Sequence, residues 1–230
     1  MDIDDANKAP VAKMDPDNVI LSDAQKSLLF WQCIRSQQFW IIFAMQGLSI
    51  IFAYYVVNVY KLFGEGVPAL DNDEYLTLVN SVSAIFNSLR FVWSGAIDKL
   101  PFKYVYGVLL LMQISIACSM SITASNRISY MVVVCLVLFC VGGHFALFPN
   151  ILRQIYGKQA TFLYGWCMTG TGIASLLIEV LTLSSFGEEY LIMFFIMGSG
   201  SLVSMILLLF CFEQKRFEPD WSRIFEEESK

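Results

Sequence analysis

Six apolar stretches of about twenty residues each constrain this 230-residue chain more than any other feature. They cover 39–60, 75–97, 104–123, 129–148, 161–183 and 190–212. Helical residues rise about 1.5 Å each, so every stretch is long enough to cross the hydrocarbon of a bilayer. The separators are short and carry turn residues: Gly64, Gly66 and Pro68; Pro101; Asn126 and Arg127; Gly157 and Lys158; Gly187, Glu188 and Glu189. Backbone groups in lipid must pair within their own segment, so the pattern predicts an all-α membrane protein with six transmembrane helices. Composition agrees. The chain is 57 % hydrophobic and 15 % charged, where soluble domains are roughly 45–50 % apolar and about 25 % charged. A soluble domain of this length has too little interior for so much apolar surface. The net charge of −5 and the absence of a basic excess exclude nucleic acid as a partner.

Lys and Arg set the orientation. With the N-terminus cytoplasmic, the inner segments hold Lys8, Lys13, Lys26, Arg35, Lys99, Lys103, Arg153, Lys158, Lys215, Arg216, Arg223 and Lys230. The outer segments hold Lys61 and Arg127 beside Glu65, Asp71, Asp73, Glu74, Glu188 and Glu189. Both termini are therefore expected on the cytoplasmic side of a plasma or organelle membrane. Residues 1–38, rich in Asp, read as a flexible acidic segment with no secretory signal. Ser22–Asp23 is positioned to cap a short helix leading into the first span. Residues 39–212 form the six-helix domain, and 213–230 read as a charged, solvated tail. The six cysteines have no CxxC spacing, and at least five lie within apolar runs. They read as small buried hydrophobes, with no metal site expected.

An ionisable group inside a span is expensive unless it meets a cavity or a partner. Three stand out: Arg90, His144 and Glu179. Arg90 lies about 12 Å along its helix from Asp98. Asn80, Ser83, Asn87, Arg90 and Ser94 recur at steps of three and four, so they share one polar stripe. A guanidinium grips a carboxylate through two parallel hydrogen bonds, which makes a small organic anion the natural ligand. A structural cation resting on backbone carbonyls is the other reading. His144 follows Gly142 and Gly143 at a similar depth, where a packed histidine and a cavity histidine are both open. Glu179 shares a stripe with Thr161, Gly165, Met168, Gly172 and Ser175, about 6 Å from its helix end. It is either a protonation site or an interfacial acid. One histidine and few buried acids assemble no nucleophile–base pair, so no enzyme activity and no cofactor are expected.

The loop after the second span reads Gly95-Ala-Ile-Asp98-Lys99-Leu-Pro-Phe-Lys103. It resembles the G-x-x-x-D-R/K-x-x-x-R/K signature of the major facilitator superfamily, which occupies this loop in each six-helix half. Asn87-Ser-Leu-Arg90-Phe-Val-Trp93-Ser-Gly95 resembles the N-G-x-x-R-x-x-W-G run in the second helix of the C-terminal half of oxalate/formate antiporter-like transporters. The related monocarboxylate transporters use an arginine in the same helix. Gly142-Gly-His-Phe-Ala-Leu-Phe-Pro-Asn-Ile151, Tyr156-Gly and Tyr164-Gly165 resemble that subfamily too, including its protist members.

The resemblance implies a C-terminal six-helix half, with its first, second, fourth and fifth helices lining a central path. It implies a secondary transporter, or half of one, working by alternating access on a monocarboxylate or an oxalate/formate-like anion. Arg90 would bind the anion with Asn87, His144 and Ser83 as polar helpers. Gly95, Asp98, Lys99 and Lys103 would form the cytoplasmic gate. The fifth span lacks the second cation of the oxalate-transporting members, which favours a monocarboxylate or another small anion over a dicarboxylate. Superfamily halves are parallel repeats, so membrane lipids and a second six-helix half are the expected partners. That half would be another copy or a missing N-terminal half. The alternative is a structural subunit of a larger membrane complex, derived from a transporter half and no longer transporting.

Overall fold

The computed structural model describes residues 21–183 and 190–226. The first twenty residues of the acidic segment, the turn at 187–189 and the last four residues of the tail lie outside that range. Among the described residues the chain is all helical. In order come α1 (Asp23–Arg35), α2 (Gln37–Glu65), α3 (Asp73–Ser88), α4 (Arg90–Ile97), α5 (Phe102–Thr123) and α6 (Arg127–Tyr156). A 3₁₀ turn, Gly157–Gln159, leads into α7 (Ala160–Leu183). Then α8 (Tyr190–Ile206) widens into a π segment, Leu207–Cys211, and a short α9 (Trp221–Glu226) follows. Among the described residues, four continuous stretches are long and apolar enough to cross a membrane: Gln37–Glu65, Phe102–Met120, Arg127–Thr182 and Ile192–Cys211. The third contains both α6 and α7.

The helix starts follow from local chemistry. Ser22 and Gln25 form a reciprocal capping box on α1, while Asn72 and Asn126 cap α3 and α6 through their side-chain oxygens. Ser36 does double work between α1 and α2. Its hydroxyl accepts from the Phe39 amide at 3.3 Å and lies 2.8 Å from the Tyr156 hydroxyl. Ser36→Ala should cost about 1–2 kcal/mol, read as a lower thermal midpoint in detergent.

The expected single helix over 75–97 is corrected: it breaks at Leu89, whose ψ of 29° is not helical. No glycine or proline sits there. Side chains take the carbonyls instead. Ser88 donates to the Ile85 carbonyl at 2.6 Å, and Arg90 Nε donates to the Asn87 carbonyl at 3.4 Å. Trp93 then pins α4 to α6, stacking at 4.9 Å on Phe139 and donating Nε1–H to its carbonyl.

Two apolar clusters fill the bundle. α2 changes from one to the other between Met45 and Phe52, α5 between Leu110 and Ile116, α7 between Cys167 and Ile178. The residues at the changeover are buried and polar: Gln46 and Ser49, Gln113, His144, Thr171, and Ser201 and Ser204. They bond to one another across helices. Tyr106 joins Ser49 at 2.8 Å and Ser204 at 2.9 Å, Gln46 donates to Thr171 at 3.4 Å, and Ser201 donates to Gln113 at 3.2 Å. Buried polar groups are tolerated in an apolar bundle when they satisfy each other, and such contacts tie helices together. The α3–α4 break falls at this same level, between Val79 in one cluster and Trp93 in the other.

At one end of the bundle α1 and α9 form a clasp. Gln32 exchanges two hydrogen bonds with the Asp220 backbone, at 3.1 and 2.9 Å, and the Phe217 amide donates to the Ile155 carbonyl at 2.9 Å. Trp221 and Ile224 are buried with Leu29, Cys33 and Ile34. Cys33 is 1 % exposed, and burial pushes its thiol up to about 12. We expect Cys33 to resist N-ethylmaleimide at pH 8 in the native chain and to become labelled in Trp221→Ala, with mass spectrometry locating the adduct.

Candidate functional site

The α3–α4 break places Arg90 at the first position of α4, on an exposed face. Its guanidinium lies 5.2 Å from the centroid of the Phe145 ring on α6, within range of a cation–π contact. No carboxylate pairs with it among the described residues. Arg90 on α4 and Phe145 on α6 therefore meet beside the helix break. Phe145 was noted by sequence reasoning only within a motif.

Asn87 is brought beside Arg90. Its Oδ1 is buried with no hydrogen-bond partner, and it faces Gly142 of α6. The fit there is tight. A Cβ on Gly142 would lie 2.7 Å from the Asn87 carbonyl oxygen and 3.2 Å from Arg90 Cγ. Only glycine permits that approach, so Gly142 sets the distance between α6 and the break.

The other expected helpers are placed elsewhere. Ser83 is fully buried and donates to the Asn80 carbonyl at 2.9 Å. His144 is also fully buried, but it is turned toward α5. Its Nε2 lies 3.1 Å from Gln113 Nε2, and its ring stacks on Phe148 and meets Tyr106 edge-on. The Gln113 amide can only donate there, because its oxygen already accepts from Ser201. The other ring nitrogen, Nδ1, has no partner among the described residues. His144 belongs to the polar layer inside the bundle, on a different side of α6 from Phe145.

Glu179 is exposed on α7, as are Gly165 and Gly172 of its stripe; the packed face of α7 is Leu163, Cys167, Thr171, Ala174 and Ile178. Gly95, Asp98 and Lys99 are exposed around the end of α4. Lys103 is held, its Nζ donating to the Leu209 carbonyl of the π segment at 2.9 Å. That contact braces the α4–α5 turn against the end of α8.

Comparison with known proteins gives distant matches. No family model matches the chain. It is 24 % identical over 133 residues to the riboflavin transporter RibJ of Trypanosoma brucei brucei, covering 55 % of this chain and 24 % of that protein. It is 25 % identical over 160 residues to apicoplast pyruvate carrier 1 of Toxoplasma gondii, covering 68 % of this chain and 28 % of that protein. The matching part spans about a quarter of each relative's length. The chain is a membrane protein with membrane-length apolar helices, distantly similar to a transporter and a carrier.

Proposed function

We propose that this chain is a six-span half of a secondary transporter that carries a small organic anion by alternating access, with both termini cytoplasmic. One observation carries this reading. Arg90 is a permanent cation at a helix break, free of any carboxylate among the described residues and resting against the Phe145 ring. A guanidinium held in this way suits a planar carboxylate, bound by two charge-assisted hydrogen bonds. Both relatives are transporters, one of them a pyruvate carrier. A monocarboxylate fits the lone cation best. α3 and α4 together supply the sixth span, crossing as a broken helix of the kind that transporters build around their binding sites.

Arg90 is exposed on its outer side, so a second six-helix half is needed to close the path. The test is extraction of the native protein in mild detergent, sizing and mass spectrometry, then reconstitution and uptake of radiolabelled pyruvate, formate and oxalate. The expected result is co-migration with a second half, or with another copy, and saturable monocarboxylate uptake. Migration inside a large assembly without such a half, and with no uptake, would replace this reading with a structural subunit.

A further inference from the structure

Arg153 and Lys158 have no part in the Arg90 site. They line a cavity of about 530 Å³ at the turn between α6 and α7, together with Pro149, Gly157, Thr161 and Tyr164. That size is within the range of small-molecule sites. Two cations and two hydroxyl side chains face the space. The turn itself is built for this. Gly157 has φ 55° and ψ −125°, a conformation open essentially to glycine alone, and it turns the chain directly from α6 into the helical run that becomes α7. Thr161 and Tyr164, one turn apart on the first part of α7, continue the wall.

We propose that this cavity is a second oxyanion site, taking the phosphate or carboxylate group of a small solute or of a lipid headgroup. The Arg153 fork supplies paired donors and Lys158 a compact charge, a combination suited to a doubly charged oxyanion such as phosphate. The site is separate from Arg90. Arg153 follows Phe145 by eight residues on α6, a rise of about 12 Å. The inference does not rest on the transport reading, because binding here needs neither flux nor a second half.

The experiment is binding of radiolabelled inorganic phosphate to the full chain in phosphatidylcholine nanodiscs, by scintillation proximity. Saturable binding should weaken at least tenfold in Arg153→Gln and vanish in the Arg153→Gln/Lys158→Gln double variant. Arg153→Lys should retain part of it, which shows that the fold survives substitution at this position. Binding is read without flux, so a failed Arg90 transport assay and a failed cavity are told apart. A second arm uses nanodiscs with 10 mol % phosphatidic acid. Phosphate displaced from the wild type, with phosphatidic acid retained by the wild type and lost by the double variant, identifies a lipid headgroup as the occupant. Undiminished phosphate binding identifies a soluble ligand. Equal binding of both probes by wild type and double variant, or binding of neither by the wild type, overturns the proposal.

Discussion

Arg90→Gln should lower monocarboxylate uptake by the assembled carrier roughly 100-fold. The figure follows from losing a bidentate, charge-assisted pair, worth about 3 kcal/mol, at about 1.4 kcal/mol per tenfold. Gln keeps hydrogen-bonding capacity and removes the charge, so the variant isolates the cation. Arg90→Lys should recover only part of the loss, because an ammonium is a point charge without the planar fork. The break at Leu89 should survive in Arg90→Lys, since Ser88 still takes the Ile85 carbonyl. Phe145→Leu should act in the same direction with a smaller effect, about tenfold or less, since it removes one ring contact. Unchanged uptake in both Arg90 variants would end the anion-site assignment.

The second large effect is expected from Gly142→Val. A single added carbon already lies 2.7 Å from the Asn87 carbonyl oxygen, which is backbone and cannot swing aside. Valine adds two more methyl groups. The α6 helix must then move away from the break, and the packing that follows is lost with it: Trp93 on Phe139, and Arg90 over Phe145. Overpacking of this kind costs about 1–3 kcal/mol, and the displaced Arg90 should abolish anion binding as well. Gly165→Val is the control. A Cβ there meets nothing within 4 Å, so its thermal midpoint should stay close to that of the unsubstituted chain. A Gly142→Val protein with native stability and native uptake would show that the close approach is not needed.

Most of the helices were legible because their signals are local. An apolar run of membrane length, a cap such as Asn72 or Asn126, and a glycine at 157 each act over a few residues. The break at Leu89 was not legible. It comes from Ser88 and Arg90 competing for carbonyls, and neither residue type marks a helix end by itself. The extension of α6 to Tyr156, through Pro149, was equally hidden. Proline removes the donor that would serve the Phe145 carbonyl, while Asn150 Nδ2 donates to the next carbonyl, Ala146, at 2.9 Å, and the helix continues. Of the site, the depth of Arg90 and its nearness to Asn87 could be read from spacing along one helix. The direction of His144 could not. Depth is a matter of counting, whereas direction around α6 depends on which helices stand beside it, and Phe145 and His144 are adjacent in sequence yet serve opposite sides.

The clasp between α1 and the tail has a consequence for how the chain is made. Gln32 and Asp220 are 188 residues apart. At a synthesis rate of roughly 5–20 residues per second, α1 waits roughly 10–40 s for its partner to leave the ribosome. Until then the face carrying Leu29, Cys33 and Ile34 lacks Trp221 and Ile224. The segment that follows α8 is thus a completion seal. A chain cut after Cys211 leaves that apolar face of α1 uncovered.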